Sequence, residues 1–139
     1  MTPPFKMLLV EDNSDDEHLT MRELRKLGPG LEIDVARDGQ QALDMLFDPD
    51  RDLPNLVLLD LKLPKVNGLE VLSQLRENPR TAHLLIVVLA SSDEPDDVRL
   101  SYQMYANSYI RKPVGMAEFS EKVKQLGVYW LGTNISPSG

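Results

Sequence analysis

Short runs of apolar residues alternate along the chain with longer segments in which apolar residues recur every three or four positions. Uninterrupted apolar runs occupy residues 7–10, 56–59 and 84–89, as is typical of strands that are buried on both faces. Apolar and acidic residues alternate over residues 31–35, which predicts a half-buried edge strand, and residues 109–110 predict a short fifth strand. Because helical periods follow the strands, the pattern predicts five β–α units and a parallel sheet covered by helices on both faces.

Local sequence signals mark where the helices begin. Ser14 and, three residues later, Glu17 match a capping box at the start of the first helix. Asn67 before Gly68 predicts the start of the third helix. The last helix is predicted from residue 116 to about residue 130.

The last predicted helix carries apolar residues on more than one face. One stripe at helical spacing should face the core: Phe119, Val123, Leu126 and Trp130. Val128, Tyr129 and Leu131 lie off this stripe. We expect them to form a contact surface for a homodimer, the alternative being that the tail folds back over them.

Length and charge exclude several classes of protein. The 139 residues suit one domain, expected over residues 1–131, with a polar tail over residues 132–139 and no output domain. A formal net charge of −7 disfavours nucleic acid and a polybasic membrane anchor as partners, and the absence of cysteine excludes disulfides and thiolate zinc sites. Without an apolar segment of roughly 20 residues or a signal peptide, we expect a cytoplasmic protein that does not bind membranes.

Charged and hydroxyl residues follow the predicted strands directly. Glu11 and Asp12 come after the first strand, Asp60 after the third, Ser91 after the fourth and Lys112 after the fifth. The carboxyl ends of parallel strands share one edge of the sheet, and open α/β sheets bind ligands there, where the strand order reverses. We expect a three-layer, doubly wound, flavodoxin-like fold whose parallel sheet has the strand order 2-1-3-4-5. In that order the three acids converge at this point.

Three adjacent carboxylates repel each other unless a cation or a proton neutralises them. Oxygen ligands without histidine or cysteine suit Mg²⁺, and Lys112 supplies a positive charge for a phosphoryl oxygen. An aspartate beside a Mg²⁺ ion and a lysine suits nucleophilic attack by Asp60 on phosphorus, which gives an aspartyl phosphate. The alternative, that each acid only caps the next helix, is stronger for one acid than for three acids and a lysine.

The motifs resemble those of a known family. They are residues 8–13 (Leu-Leu-Val-Glu-Asp-Asn), residues 58–64 (Leu-Leu-Asp-Leu-Lys-Leu-Pro), Asn67-Gly68 and Lys112-Pro113. From about residue 6 to residue 131 the chain resembles the receiver domain of two-component response regulators. Residues 93–97 and 129–131 resemble, more weakly, the small regulators that accompany phytochrome-type histidine kinases.

This resemblance implies a phosphoacceptor and a metal site. Asp60 would take a phosphoryl group from the phosphohistidine of a sensor histidine kinase, and the narrower resemblance implies a kinase of the phytochrome type. Mg²⁺ would be bound by Asp12, Asp60 and the backbone carbonyl of Lys62, with Glu11 assisting through water.

The resemblance also implies a switch. Lys112 would contact the phosphoryl group, the peptide bond before Pro113 would be cis, and Tyr109 would move between inward and outward rotamers. The family places Thr or Ser at the end of the fourth strand to contact the phosphoryl group, whereas the aligned residue here is Ala90. Ser91 could serve only if the strand slipped by one residue, which would turn every side chain to the other face. We therefore expect phosphorylation to be weakly coupled to Tyr109.

Two alternatives to a phosphorylated regulator remain. A small phosphatase with an aspartate nucleophile would share the layout, but such enzymes carry a second Asp where this chain has Lys62. A receiver that acts only as a phosphorylation-independent interaction module is favoured by Ala90 and disfavoured by the complete acidic set. We expect a single-domain response regulator, a phosphoacceptor signalling protein rather than a conventional enzyme, that signals through changed protein contacts.

Overall fold

The computed structural model describes residues 5–28, 30–91 and 94–135, so tail residues 136–139 and Asp93 of the phytochrome-type motif lie outside the described residues. Strands and helices alternate: β1 (Phe5–Val10), α1 (Ser14–Arg25), β2 (Leu31–Ala36), α2 (Gly39–Leu46), β3 (Leu56–Leu59), α3 (Gly68–Glu77), β4 (Leu85–Ala90), α4 (Pro95–Gln103), β5 (Ser108–Arg111) and α5 (Met116–Val128), which a π-helical turn (Tyr129–Thr133) continues.

The strands form one parallel sheet in the order β2-β1-β3-β4-β5. This order confirms the predicted doubly wound fold. β3 is buried along its whole length because it lies at the centre of the sheet, whereas the edge strand β2 alternates between half-buried and exposed residues. The strand order reverses between β1 and β3, and their carboxyl ends therefore flank the crevice where ligands bind in such sheets.

The sheet separates two apolar clusters. Leu8 and Val10 of β1 pack with residues of α2 and α3 on one face. Met7 and Leu9 pack with residues of α1 and α5 on the other face, because successive side chains of a strand point in opposite directions. Both faces of the sheet are thus occupied by core, and the polar chemistry is confined to its edges.

Three helices begin with side chains that accept hydrogen bonds from the backbone. Asn13, Asp38 and Asn67 each accept from the N–H three residues later, at 3.0, 2.7 and 3.0 Å. The predicted start of α3 at Asn67 is confirmed. The predicted capping box at Ser14 is wrong by one residue, because Asn13 supplies the cap and Glu17 instead forms an ion pair with an arginine that follows β2.

The end of α5 departs from α-helical geometry. The Asn134 N–H donates to the carbonyl of Tyr129 at 2.7 Å, five residues back, which defines the π-helical turn. A wider turn changes which residues share a face. Leu131 consequently packs, partly buried, against the core, contrary to its predicted place off the core stripe, while Val128 and Tyr129 are 51% and 48% exposed.

The helical structure extends to Thr133, beyond the predicted domain end at residue 131. In the described part of the chain, no helix combines the length and the apolar character needed to cross a membrane.

Candidate functional site

The carboxyl ends of β1, β3 and β5 bring the predicted site residues together. Glu11 follows β1, Asp60 follows β3 and Lys112 follows β5, each directly after the last strand residue. Carboxylate oxygens of Glu11, Asp12 and Asp60 lie within 4.8 Å of one another. The predicted convergence of the three acids is therefore present in the structure.

Backbone hydrogen bonds extend the strand pairing by one residue into the site. The Asp60 N–H donates to the carbonyl of Val10 at 3.1 Å, and the Lys112 N–H donates to the carbonyl of Ala90 at 2.7 Å. The Glu11 N–H likewise donates to the last carbonyl of β2 at 2.9 Å. The rigid sheet rather than a loop therefore sets the positions of these three residues.

A glycine allows α3 to begin against the segment that directly follows β3. The Gly68 N–H donates to the carbonyl of Leu61 at 2.8 Å. A Cβ atom at Gly68 would lie 2.2 Å from the Asp60 carbonyl oxygen, far inside any permitted contact. The spacing of eight residues between Asp60 and Gly68 is thus a packing requirement of the site.

Lys112 is the cation at the centre of the cluster. Its Nζ donates to Glu11 Oε1 and, at 3.1 Å, to Asp60 Oδ2. It also donates at 3.1 Å to Asp16 Oδ2, a contact that the sequence does not predict, because an acid in the first turn of a helix is already accounted for by the helix dipole. The other Asp60 oxygen, Oδ1, accepts from the Lys62 N–H at 3.2 Å.

Burial makes the electrostatics of this cluster unusual. Glu11, Asp60 and Lys112 are 2%, 7% and 7% exposed, while Asp12 is open to solvent. Burial, reinforced by contact with Asp60 and opposed by Lys112, raises the pKa of Glu11 to about 8. Burial acts to lower the pKa of Lys112, but the charge of Asp60 and the bond to Glu11 outweigh it and hold that pKa above its ordinary value.

The residues present fit a divalent cation. Glu11 Oε2 is buried and meets no hydrogen-bond donor in the described part of the chain. Lys112 forms ion pairs with Glu11 and Asp60, and Asp12 adds a third acid to the cluster, so negative charge remains to be neutralised. Clustered carboxylate oxygens of this kind are ligands for Mg²⁺ or Mn²⁺, and the exposed Asp12 gives the cluster a side open to solvent.

No hydroxyl ends the fourth strand. Ala90 is the last residue of β4, is 2% exposed and pairs with Arg111 of β5. Ser91 is exposed and lines, with Lys112, a cleft of about 700 Å³ between α1 and the segment after β5. The strand has not slipped to place Ser91 in the position of Ala90.

The predicted switch residues, Tyr109 and Pro113, lie within β5 and just after it. Tyr109 is partly buried against the cluster on the α2 and α3 side of the sheet, and its backbone N–H donates to Tyr102 Oη at 3.1 Å. The predicted cis bond before Pro113 is wrong, because no peptide bond between described residues is cis. The trans form is the one that an X–Pro bond generally prefers.

The sequence model of the response regulator receiver domain matches residues 7–124. This chain belongs to that family. Receiver domains are signalling modules that accept phosphoryl groups from histidine kinases. The motifs on which the resemblance rests contain the three clustered acids and the lysine.

Individual relatives cover nearly the whole chain. The probable methanogenesis regulatory protein FilR2 of Methanothrix harundinacea is 44% identical over 137 residues, covering 96% of this receiver domain and 88% of FilR2. Response regulator Rcp1 of Synechocystis sp. is 35% identical over 140 residues, covering 98% of this chain and 95% of Rcp1.

Two solved structures show the same fold with high similarity. The Mn²⁺-bound form of Rcp1 superimposes with a TM-score of 0.93 at 35% identity, covering 96% of this chain and 99% of that chain. The phosphorylated cyanobacterial phytochrome response regulator RcpA superimposes with a TM-score of 0.92 at 34% identity, with the same coverage of 96% and 99%. The Rcp1 structure contains a divalent cation, and the acidic cluster of this chain has ligands suited to a divalent cation.

Proposed function

We propose that this receiver domain acts in the cytoplasm, where it accepts a phosphoryl group on Asp60 from the phosphohistidine of a sensor histidine kinase and signals through changed protein contacts. One observation carries the proposal: Asp60 is buried beside Glu11 and Asp12, and its Oδ2 accepts a hydrogen bond from Lys112 Nζ. A buried aspartate with one oxygen held by an ammonium and neighbouring carboxylates for a cation is equipped for phosphoryl transfer.

The metal in this proposal is Mg²⁺. Asp12, Asp60 and the backbone carbonyl of Lys62 would hold it, with Glu11 contributing through water. When bound, Mg²⁺ supplies positive charge that neutralises the oxygens of the transferring phosphoryl group. The buried Glu11 oxygen that lacks a donor is the feature of this chain that supports the assignment.

The protein's own groups act as nucleophile and electrostatic support. A carboxylate oxygen of Asp60 attacks phosphorus, the O–P bond forms, and the P–N bond to the donor imidazole breaks with the electron pair passing to nitrogen. Lys112 keeps its proton and donates to a phosphoryl oxygen. The Lys62 N–H, which already donates to Asp60 Oδ1, restrains the carboxylate during the attack.

Acetyl phosphate labelling tests this proposal. Wild-type protein and Asp60→Asn are incubated with acetyl phosphate and Mg²⁺, and the intact masses are measured. We expect one phosphoryl adduct on the wild type and none on the variant. An adduct on Asp60→Asn would place the acceptor elsewhere, and an unlabelled wild type would support the phosphorylation-independent interaction module, which Ala90 favours.

A phosphatase with an aspartate nucleophile is the weaker alternative. Lys62 stands where such enzymes carry their second Asp, and its N–H rather than a carboxyl faces the Asp60 carboxylate. Repeated turnover of a phosphomonoester, such as p-nitrophenyl phosphate, would support the phosphatase. Single labelling without such turnover supports the receiver.

For the kinase, we propose a phytochrome-type donor. The likeness to Rcp1 and to the phytochrome response regulator RcpA supports this class. Phosphotransfer from a purified, autophosphorylated phytochrome-type kinase should be faster than from an unrelated histidine kinase at equal concentration. Equal rates from both donors would contradict the assignment.

We also propose that the domain forms a homodimer through the end of α5. Val128 and Tyr129 are adjacent and exposed, and the Tyr129 ring packs edge-on against Trp130 at 5.1 Å between centroids. Exposed aromatic residues held by a neighbouring ring suit the centre of an interface, and a two-fold dimer is the commonest way to bury such a patch. Leu131, the third residue of the predicted interface, supports the patch from the core side.

Sedimentation equilibrium checks the dimer. The double variant Val128→Glu, Tyr129→Glu should be monomeric at concentrations where the wild type dimerises. Val114→Glu is the control, since Val114 is 98% exposed in the segment between β5 and α5. A monomeric wild type, with or without a phosphoryl mimic, contradicts the proposal.

A further inference from the structure

Asp16 joins helix α1 to the lysine of the phosphoacceptor site. Its Oδ2 accepts from Lys112 Nζ at 3.1 Å, the same distance as the bond from Lys112 to Asp60. The Asp16 side chain is 29% exposed, whereas that of Glu11 is 3% exposed. The lysine is therefore held from the solvent side by a residue outside the group formed by Glu11, Asp12 and Asp60.

The backbone of Asp16 is itself fixed. Its N–H donates to the capping side chain of Asn13 at 3.0 Å, so the first turn of α1 holds the carboxylate at a defined place. Asp15, on the same turn, is exposed and forms no ion pair with Lys112. The two neighbouring acids therefore differ in their relation to the site, although they are identical in chemistry.

An ammonium group has three N–H donors, and all three of Lys112 are matched here by Glu11, Asp16 and Asp60. When Asp60 becomes an aspartyl phosphate, its negative charge moves outward to the phosphoryl oxygens. The N–H of Lys112 Nζ that donated to Asp60 must then donate to a phosphoryl oxygen instead. The other two bonds decide whether Nζ stays in place during that exchange.

We propose that Asp16 is a positioning residue for phosphoryl transfer, which anchors Lys112 Nζ while the ammonium exchanges Asp60 for the phosphoryl group. The proposal rests on the proposed phosphoacceptor function. Glu11 cannot replace Asp16 in this role, because its carboxylate belongs to the cluster that fits a cation. Asp16 is the acceptor whose bond to Lys112 is independent of that cluster.

The test compares Asp16→Ala with Asp15→Ala. Both variants remove one carboxylate from the first turn of α1. They therefore lose the same favourable interaction with the helix dipole and change the net charge by the same amount. The initial rate of labelling by acetyl phosphate with Mg²⁺ is measured over a series of donor concentrations. We expect Asp16→Ala to lower the maximal rate about fivefold, the size of effect expected for one lost positioning hydrogen bond, and Asp15→Ala to label at the wild-type rate.

Two further measurements separate positioning from a general structural loss. In a Lys112→Met background, Asp16→Ala should cause no further decrease, because its effect passes through the lysine. In metal-free protein, the Lys112 ammonium is followed by ¹⁵N-edited NMR. Its signal should be detectable in the wild type and in Asp15→Ala, and broadened or shifted in Asp16→Ala.

The outcomes distinguish this inference from the proposed function. If the wild type is not labelled, the phosphoacceptor function fails. If the wild type is labelled but Asp16→Ala is equally fast or faster, or if Asp15→Ala slows labelling as much, the positioning role is overturned. A full additional decrease in the Lys112→Met background, or an unchanged Lys112 signal in Asp16→Ala, also overturns it.

Discussion

The two edges of the sheet both carry charged side chains, buried at one edge and half-buried at the other, and satisfy them to different extents. At the carboxyl edge, three acids cluster around a lysine that pairs with two of them, and Glu11 Oε2 meets no donor in the described part of the chain. At the amino edge of β4 and β5, the Arg76 guanidinium donates five hydrogen bonds of 2.7–3.1 Å. Their acceptors are the carbonyls of Ala82, Leu84 and Tyr105 and the side chain of Asn107.

The difference separates a structural charge from a functional one. The five donors of Arg76 are the full set of a guanidinium, so nothing remains for a ligand, and the group ties α3 to the segments before β4 and β5. Glu11 and its neighbours keep excess negative charge and an unmatched oxygen. A buried polar group that lacks a partner is costly, and such a cost persists where the group is used in binding or catalysis.

The largest effect is expected at the amino edge. Arg76→Leu would leave three backbone carbonyls without their guanidinium donor, so the free energy of unfolding should fall by about 2–4 kcal/mol. The Asn107 side chain would keep the hydrogen bond that it accepts from the Ile86 N–H at 2.8 Å. Urea denaturation measures the change, and Arg25→Leu, at an exposed position of α1, should change stability by less than about 0.5 kcal/mol. If both variants lose the same stability, the Arg76 network is not what stabilises this edge.

The second effect is a pH dependence at the carboxyl edge. In metal-free protein Glu11 keeps its proton up to about pH 8, against an ordinary pKa of 4.5, because it is buried beside Asp60. The folded state therefore binds more protons than the unfolded chain between these values. This stabilisation is complete below about pH 4.5 and is lost as the pH rises through about 8.

Urea unfolding in the presence of EDTA, from about pH 5 to about pH 9, measures this dependence. One proton gives a slope that approaches about −1.4 kcal/mol per pH unit. Glu11→Gln should remove most of the slope, because an amide does not titrate. Asp12, Asp60 and Lys112 remain around the substituted side chain, so a slope that persists unchanged in Glu11→Gln would assign the titration to one of them.

The third effect concerns metal affinity. Asp12→Ala should weaken Mg²⁺ binding at least about tenfold, because Asp12 is a direct ligand in the proposed site and losing a ligand costs no less than losing a residue that only orients one. The same variant should be slightly more stable than the wild type without metal, because it relieves like-charge repulsion. Calorimetric titration measures the affinity, with Asp15→Ala as the charge-matched control. Equal affinity in Asp12→Ala and the wild type would mean that the metal binds elsewhere.

The fold and most of the site could be predicted because their signals are local. The continuous apolar run that became β3 and the side-chain cap at Asn67 are determined by neighbours in sequence. The start of α1 was predicted to within one residue, since the cap is Asn13 and not Ser14. Glu11 and Asp60 directly follow strands, and the backbone ladder fixes their place at the sheet edge. For such residues, a place directly after a strand in the sequence determines the place at the sheet edge in the structure.

The features that escaped prediction depend on packing between elements. Asp16 lies within a helix, and only the way α1 packs beside the end of β5 shows that its carboxylate reaches Lys112. Leu131 was misplaced because a π-helical turn changes the period on which the faces were counted. The bond before Pro113 was assigned by resemblance alone, without any signal from the surrounding residues.

The hydroxyl of Tyr102 has a consequence for the behaviour of the protein at high concentration. β5 is an edge strand, and an edge strand offers unpaired backbone groups to any extended chain that approaches it, which is how sheets of separate molecules join and aggregate. Because Tyr102 of α4 accepts the hydrogen bond from the Tyr109 N–H, an incoming strand would have to displace a phenol before it could pair there. The Tyr102 side chain thus occupies one N–H of the short strand β5, which spans Ser108–Arg111.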